Sequence, residues 1–329
     1  MDIEHRIKLL YRHVLGRDAD PAGLAHWTGF AENQGGIGGV AAAMVSSEEY
    51  LRREQSSAAR VMPRALLDAC VIALGRDLLI VDVGAQKLDY EEHIYSELLS
   101  VGAYSIVGFE PLSEKLEQRV ALESDSRLVM LPHFVGDGSQ QTFFVNNYDA
   151  TSSLYPLNEP FTQLFPALSP LRTERTESVK TETLNHLLAD RGRVDFLKLD
   201  IQGYELNALR CADQILGRTN VVHCEVEFSP IYAGQPLCSE IEMFLRGHGF
   251  ELIDLVREAR GAYHLPSSND SADRLLYAEA VFFRADEPDY LAQAMIAWMV
   301  YGKSGLAERL LIQHDERCGT AFASLARMD

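Results

Sequence analysis

The residue types best suited to chemistry follow one apolar segment near the middle of the chain. Residues 194–200 predict a buried parallel strand, because such strands read as nearly continuous apolar runs. Four polar side chains occupy the junction between this strand and the helix predicted after it: Lys198, Asp200, Gln202 and Glu205. Ligands bind at the carboxyl ends of strands in open α/β sheets, so the junction is a candidate site. An ordinary ion pair between Lys198 and Asp200 is the structural alternative.

Two upstream segments carry features of a site for an adenosine-containing ligand. The first is an apolar strand ending in Asp82-Val83-Gly84, where a glycine lets a ligand approach the backbone and lets the next helix pack closely. The second strand ends in Glu110, and an acidic residue at this position can accept both hydroxyls of a ribose. The alternative for Glu110 is a carboxylate that caps the helix predicted from residue 113.

The segment after Gly84 lacks the glycine pattern of dinucleotide sites. Residues 84–90 read Gly-Ala-Gln-Lys-Leu-Asp-Tyr, so a pyrophosphate would find no run of backbone amides around a helix start. This argues against NAD and for a ligand without phosphates. S-adenosylmethionine meets that requirement, and its sulfonium is a cation that acidic loops tolerate.

The elements that must position these residues alternate between strands and helices over residues 61–286. Such alternation is typical of a parallel sheet in an α/β fold. Strands are predicted at 78–83, 105–109, 128–135, 194–200, 221–228, 251–256 and 280–284, and helices at 91–100, 113–123, 205–216 and 240–248. Residues 151–172 interrupt the pattern with prolines among aromatic residues, which predicts a lid or a substrate loop.

Composition limits the classes of partner and the compartment. Among 329 residues, 48 are acidic and 30 are basic, and the formal net charge of −18 disfavours nucleic acid and anionic membrane surfaces as partners. No apolar run is long enough for a membrane span, and no signal-peptide core is present. The 5 cysteines are scattered, which disfavours a disulfide framework or a structural zinc site. We therefore expect a cytoplasmic protein with reduced thiols.

Several separated motifs over about residues 78–285 resemble the FkbM-type S-adenosylmethionine-dependent methyltransferases. The resemblance is carried by GFEP (108–111), FVGDG (134–138), TSSL (151–154), VKTETLNHLL (179–188), FLKLDIQGYELNALRCA (196–212) and HCEVEFSPIYAGQPL (223–237). It implies a doubly wound, seven-stranded Rossmann-like methyltransferase sheet whose last strand is antiparallel, and the seven predicted strands agree with it. It also implies S-adenosylmethionine as the cofactor.

The same resemblance implies site residues by position. The methionine end of the cofactor would contact Asp82 and Gly84, the ribose Glu110, the adenine the segment from Phe134 to Asp137, and the transferred methyl group Asp200. One departure concerns the first loop, where the family has a second glycine shortly after Gly84. Residues 86–89 contain no glycine here, so Tyr90 or Tyr95 is expected to fill the volume.

Transfer to an alcohol gains from a general base within hydrogen-bond reach of the hydroxyl. The candidates are Asp200, His223 and Glu225, which lie along or at the ends of adjacent predicted strands. Strand alternation places His223, Glu225 and Glu227 on one face, where polar residues are costly unless solvated, paired or functional. A hydrogen-bonded interior histidine is the alternative for His223. Asp200 and Glu225 could instead hold a divalent cation, but two carboxylates are too few to predict a metal site.

The function predicted from these features is O-methylation. The enzyme is expected to transfer a methyl group from S-adenosylmethionine to a hydroxyl of a sugar, a glycan or a glycosylated metabolite. The main alternative is a non-catalytic scaffold that binds an adenosine ligand. An NAD-type oxidoreductase is a third reading, which the missing phosphate loop disfavours.

The two ends of the chain are predicted to be helical. Residues 1–55 form a small domain, in which LYRHVLGRDADPAGLAHWTGF (10–30) and SSEEYL (46–51) resemble a bacterial helical domain of unknown function related to phycobilisome linkers. Its core is expected to contain Tyr11 and Trp27, and it could bind a partner protein. Residues 287–329 predict a helical hairpin that packs on the sheet domain or on a partner, and homo-oligomers are also possible.

Overall fold

The structure is a computed structural model that divides the chain into two units. They span residues 1–61 and 62–329. The described residues are 3–11, 19–32, 36–45, 61–86, 92–122, 125–265 and 271–327. The motif at 46–51, Tyr90 and most of the loop after Gly84 therefore lie outside the described residues.

The first unit consists of short helices around a small apolar core. They are α1 (Ile3–Leu10), α2 (Pro21–Phe30) and α3 (Gly36–Val45). The start of α2 is fixed by Asp20, whose carboxylate accepts a hydrogen bond of 2.8 Å from the backbone N–H of Gly23. Tyr11 is 3% exposed, and Trp27 packs against the same core from a half-buried position, as the sequence predicted.

The second unit has a central sheet covered by helices. Its strands are β1 (Leu78–Val83), β2 (Tyr104–Phe109), β3 (Leu128–Leu131), β4 (Phe134–Val135), β5 (Gln140–Asn146), β6 (Thr173–Glu182), β7 (Val194–Leu199), β8 (Thr219–Glu227), β9 (Phe250–Gly261) and β10 (Arg274–Arg284). Its helices are α4 (Arg64–Leu74), α5 (Ser96–Leu99), α6 (Ser113–Leu122), α7 (Glu159–Thr162), α8 (Leu184–Leu187), α9 (Glu205–Arg210), α10 (Asp213–Leu216), α11 (Cys238–Gly247), α12 (Tyr290–Met299), α13 (Ser304–Cys318) and α14 (Phe322–Leu325).

The central sheet has seven strands in the order β3-β2-β1-β7-β8-β10-β9. Among the described strands of this sheet, β10 alone is antiparallel to the other six, which share one direction. The sheet order reverses between β1 and β7, so the carboxyl ends of these two strands mark the point where doubly wound sheets bind ligands. The predicted doubly wound sheet with an antiparallel last strand is confirmed.

Alternation along the central strands fills two separate cores. Ile80 and Phe196 face a core that contains α4 and the C-terminal helices. Val81 and Leu197 point to the opposite face, where α9, α10 and α11 cover the sheet. Both strands are buried on both sides, which explains why their sequences are apolar at nearly every position.

Some local predictions differ from the structure. The predicted strand at 128–135 is interrupted at Pro132, which has no N–H to donate to a ladder, and divides into β3 and β4. β4 joins a second sheet of order β4-β6-β5, whose strands β5 and β6 were not predicted. The predicted helix at 205–216 is likewise two short helices, α9 and α10.

The C-terminal helices pack on the sheet of their own unit. Leu291, Met295 and Ala307 are buried in the same core as Ile80. The side chain of Asp289 begins α12 by accepting a hydrogen bond from the backbone N–H of Ala292. In the part of the chain that the structure describes, no helix is long and apolar enough to cross a membrane.

Candidate functional site

A cavity of about 540 Å³ opens at the carboxyl edge of the central sheet. Its volume lies within the roughly 300–1,000 Å³ typical of small-molecule sites. The cavity wall includes residues that the sequence singled out: Gly84, Glu110, Phe134, Lys198, Asp200, Gln202, Glu225 and Glu227. The segment after β5 and part of the predicted lid, including Leu168 and Leu171, close its outer side.

The strand register explains why polar side chains meet here. Asp82 on β1 pairs with Lys198 on β7, which pairs with His223 on β8. These residues form one polar row on the face of the sheet that also carries Ile80 and Phe196. Two positions further toward the carboxyl ends, the same alternation brings Asp200 and Glu225 to the edge of the cavity.

Asp82 forms the buried floor beneath the cavity rather than part of its wall. Its carboxylate lies 2.7 Å from Nη1 of Arg119 and 3.5 Å from Nζ of Lys198, and it accepts a 2.6 Å hydrogen bond from the hydroxyl of Tyr95. Burial alone would raise the pKa of Asp82, but the charges of Lys198 and Arg119 outweigh it and hold the pKa well below the ordinary value.

Arg119 is a buried residue of the site floor that the sequence did not reveal. It lies on α6, is fully buried, and donates hydrogen bonds to Asp82, to the carbonyl of Ala85 at 2.7 Å and to the hydroxyl of Tyr95 at 2.6 Å. Tyr95 is itself 0% exposed and lies behind the cavity wall. The only sequence signal for this role is an arginine on the inward side of the helix that follows Glu110.

Gly84 lets β1 and β7 approach closely at the edge of the cavity. Its φ is +77°, and a Cβ placed there would lie 1.9 Å from the carbonyl oxygen of Asp200. The backbone N–H of Asp200 also bonds to the carbonyl of Val83 at 3.0 Å. A side chain at position 84 would therefore displace Asp200, so the glycine is needed for packing within the site.

Asp200 and Glu225 are held by one amide side chain. Nε2 of Gln202 donates to Oδ1 of Asp200 at 3.0 Å and to Oε2 of Glu225 at 2.8 Å. Its Oε1 accepts a 2.8 Å hydrogen bond from the hydroxyl of Tyr232. Gln202 has a φ of +56°, a left-handed conformation that costs a non-glycine residue about 1–3 kcal/mol and is typical of functional sites.

The carboxyl of Glu225 has an unusual environment. Among the described residues, none donates a hydrogen bond to its second oxygen, Oε1. Burial raises the pKa of Glu225 well above its ordinary value, and the nearby charges of Asp200 and Glu227 act in the same direction. Lys198 balances part of this charge, because its Nζ lies 3.3 Å from Oδ2 of Asp200.

Glu110 and Phe134 line the far part of the cavity, beyond β2. Glu110 is 4% exposed, and its Oε1 accepts a 2.9 Å hydrogen bond from the backbone N–H of Leu112. Burial raises its pKa to about 7, and the negative charge of Asp82 adds to this effect. Phe134 packs edge-on against Phe143, with ring centroids 4.9 Å apart.

The structure does not bring Asp137 or His223 to the cavity wall. Asp137 is exposed and accepts hydrogen bonds from Ser139, from its backbone N–H at 2.9 Å and its hydroxyl at 2.7 Å. His223 is 1% exposed, and its Nδ1 lies 2.9 Å from the hydroxyl of Tyr301. His223 therefore has the buried, hydrogen-bonded environment that was the alternative to catalysis.

The described residues contain no group of three or more His, Cys, Asp and Glu side chains that could hold a metal ion. Asp200 and Glu225 are joined instead through the amide of Gln202. Carboxylates arranged in this way accept hydrogen bonds and protons.

Comparison with known proteins identifies the family. A model of the FkbM methyltransferase domain matches residues 82–252, and a model of a domain of unknown function, DUF4214, matches residues 2–53. The chain therefore belongs to the FkbM methyltransferase family, and both resemblances seen in the sequence are confirmed. It is an S-adenosylmethionine-dependent methyltransferase. No curated protein matches the chain.

Among the solved structures similar to the chain are methyltransferases of low sequence identity. They include the magnesium protoporphyrin IX methyltransferase of Synechocystis PCC 6803 with bound S-adenosylmethionine (10% identity, 86% of this chain and 98% of that chain, TM-score 0.31). A TehB-like methyltransferase of Corynebacterium glutamicum (12% identity, 73% and 98%, TM-score 0.30) and a methyltransferase of Anabaena variabilis (9% identity, 86% and 96%, TM-score 0.33) are also similar. The family assignment rests on the match to the family model.

Replacing Arg119 tests the buried floor of the site. Arg119→Met should lower the free energy of unfolding by about 3–5 kcal/mol, because the buried Asp82 carboxylate then loses one of the two cations, Arg119 and Lys198, that balance its charge. Arg175→Met, which removes an exposed arginine paired with Glu177, should cost less than about 1 kcal/mol. Urea unfolding measures both. The double variant Arg119→Met, Asp82→Asn should recover part of the lost stability. Equal losses of stability in Arg119→Met and Arg175→Met would contradict the role given to Arg119.

Proposed function

We propose that the protein transfers a methyl group from S-adenosylmethionine to a hydroxyl group of a sugar, a glycan or a glycosylated metabolite. The observation that carries this proposal is the arrangement of Glu225. One of its oxygens is fixed by Gln202, and the other has no hydrogen-bond donor among the described residues. A carboxylate with one oxygen held and one available is suited to accept the proton of a hydroxyl.

The cavity wall fits an adenosine-containing cofactor. Glu110 offers a carboxylate for ribose hydroxyls, Phe134 offers an aromatic face, and Gly84 leaves room at the end of β1. When bound, S-adenosylmethionine supplies an electrophilic methyl group. The acidic side chains around Asp200 favour a cation at this edge of the sheet.

The residues of this chain then position the nucleophile and accept its proton. Holding the two reactants in line supplies a large part of the acceleration in such displacements. A general base works best when its pKa lies near the working pH, and burial among other carboxylates raises the pKa of Glu225 in that direction. Lys198 and Gln202 occupy both oxygens of Asp200, so Asp200 would contribute at the reaction centre through its charge.

The outer wall of the cavity supports a sugar-like acceptor. Tyr148, Tyr232 and Tyr277 line it together with Leu168 and Leu171. Aromatic faces pack against the C–H faces of pyranose rings, and carboxylates accept hydrogen bonds from sugar hydroxyls. The segment 151–172, predicted from the sequence to be a lid or substrate loop, supplies part of this wall.

We further infer that the protein works in the bacterial cytoplasm and does not bind nucleic acid. The 5 cysteines are free, as expected for a reducing compartment, and the net charge is −18. Residues 1–55 would serve as a docking unit for a protein partner, or the protein would form homo-oligomers. Gel filtration with light scattering, with and without residues 1–55, tests this role.

Replacing Asp200 separates chemistry from cofactor binding. Wild-type protein is incubated with methyl-labelled S-adenosylmethionine and a panel of methyl glycosides, and label in the sugar is measured. Asp200→Asn should lower turnover by about 10²-fold or more, while calorimetric affinity for S-adenosylmethionine changes by less than about tenfold. The exposed Asp190→Asn is the matched control. Cofactor binding without transfer by the wild type would favour the scaffold alternative, and full turnover by Asp200→Asn would remove its catalytic role.

Replacing Glu110 tests the ribose contact. Its pKa of about 7 means that the carboxyl is protonated below pH 7, so affinity for S-adenosylmethionine should rise about tenfold from pH 6 to pH 8. Glu110→Gln should bind more weakly at pH 8 and show a flatter pH dependence, because the amide does not ionise. Calorimetry at both pH values measures this, with Glu114→Gln on the exposed side of α6 as the control. An unchanged pH dependence would show that Glu110 does not contact the cofactor.

A further inference from the structure

A second carboxylate faces Glu225 across the sheet. In the antiparallel pairing of β8 with β10, Glu279 lies directly opposite Glu225. Directly opposed residues have Cβ atoms about 4.5–5.5 Å apart, and like charges in this position repel. Both side chains line the cavity. The family-model match ends at residue 252, so Glu279 belongs to a part of this chain that the match does not cover.

The Glu279 carboxylate is held from two sides. Nε2 of His223 lies 3.0 Å from its Oε2, and Nη1 of Arg257 lies 3.5 Å from its Oε1. The Arg257 guanidinium compensates part of the charge of Glu279, and the buried His223 ring limits its orientation. Glu279 is 16% exposed, which leaves it in contact with the cavity.

Which ring nitrogen of His223 carries the proton depends on its second partner, Tyr301. The hydroxyl of Tyr301 lies 2.9 Å from Nδ1 of His223, and the His223 and Tyr301 rings are stacked 6.0 Å apart. Burial raises the pKa of Tyr301 well above its ordinary value, and the charge of Glu279 adds to this effect. Tyr301 therefore stays protonated. When its hydroxyl donates to Nδ1, the proton of a neutral ring lies on Nε2, the nitrogen 3.0 Å from Oε2 of Glu279.

Arg257 reaches the cavity through a local irregularity of β9. Its φ is +52°, and the pairing of β9 with β10 shifts register between the Val256–Glu279 pair and the Ala259–Tyr277 pair. Bulges of this kind re-aim side chains beside active sites. The strained position thus directs a guanidinium to the carboxylate that faces Glu225.

We propose that Glu279 is a positioning residue of the methyl-transfer site, which His223 and Arg257 hold opposite Glu225 so that Glu225 is the group that takes the proton of the acceptor hydroxyl. The proposal rests on the proposed function. In the transfer, the proton leaves the hydroxyl oxygen and the Glu225 carboxylate becomes a carboxylic acid. The negative charge of Glu279 across the sheet makes Glu225 the stronger base.

Other titratable and charged groups also face Glu225. They are Asp200 and Lys198 from β7 and the turn after it, Glu205 from α9, Glu227 from β8, Tyr232 from the following loop, and Tyr277 and Glu279 from β10. Glu279 does not bond to Gln202, which joins Asp200 to Glu225. It can therefore be changed while that network stays in place.

The pH profile of transfer tests the proposal. Glu279→Gln keeps the size of the side chain and an oxygen for Nε2 of His223, but removes the charge. The acid limb of kcat/KM for the acceptor should move to lower pH by about one unit, because Glu225 then ionises more easily. Glu258→Gln, an exposed change on β9, is the matched control and should leave the limb in place. Calorimetry should show cofactor affinity within about threefold of wild type for both variants.

A second measurement needs no acceptor. The raised pKa of Glu225 means that the folded protein binds a proton more tightly than the unfolded chain, so stability falls as pH rises above about 4.5. As pH rises above about 4.5, the folded-to-unfolded ratio should fall less in Glu279→Gln than in wild type and Glu258→Gln, because the pKa of Glu225 is raised less once the charge of Glu279 is removed.

The outcomes separate this proposal from the proposed function. An unmoved acid limb, or equal pH dependence of stability in Glu279→Gln and the controls, would overturn the proposal. If Glu279→Gln loses more than about 10³-fold of the transfer activity while the acid limb of kcat/KM stays in place, Glu279 is itself the base, and the proposal is also overturned. A wild type that transfers no methyl group would refute the proposed function, and the stability measurement would still decide whether Glu279 and Glu225 are coupled.

Discussion

The compensation of one buried carboxylate, Asp82, underlies both the sheet and the site. Arg119 from α6 and Lys198 from β7 converge on it, so this contact ties the first strand, the crossover helix and the central strand together. An uncompensated charge in such a place is costly, so the three groups stabilise the fold only as a set. Lys198 also contacts Asp200, which links the floor to the cavity above.

The Glu110 end and the Glu225 end of the cavity differ in what raises the pKa of their carboxyl groups. Near β2, burial is the chief cause that raises the pKa of Glu110, and the charge of Asp82 adds to it. Near β8, several carboxyls crowd together, and burial combined with their mutual repulsion raises the pKa of Glu225. The proposed ribose contact and the proposed base therefore lie at the carboxyl ends of β2 and β8, with β1 and β7 between them.

Sequence reasoning was most successful where local pattern decides structure. Apolar runs located the central strands, and the residues at their carboxyl ends, such as Asp200 and Glu225, were found because parallel strands end at one edge. Arg119 and Glu279 were not predicted because their positions depend on contacts between distant segments: the docking of α6 and the register of β8 with β10. The small second sheet was missed because β6 is mostly polar and exposed.

The most direct test of the central claim is methyl transfer by Glu225→Gln. The amide keeps the size of the side chain and an oxygen for Gln202, but it cannot accept the proton of a hydroxyl. With methyl-labelled S-adenosylmethionine and a hydroxyl acceptor used by the wild type, transfer should fall by about 10²–10⁴-fold while calorimetric cofactor affinity stays within about tenfold. Transfer by Glu225→Gln at the wild-type rate would contradict the role of Glu225 as the base.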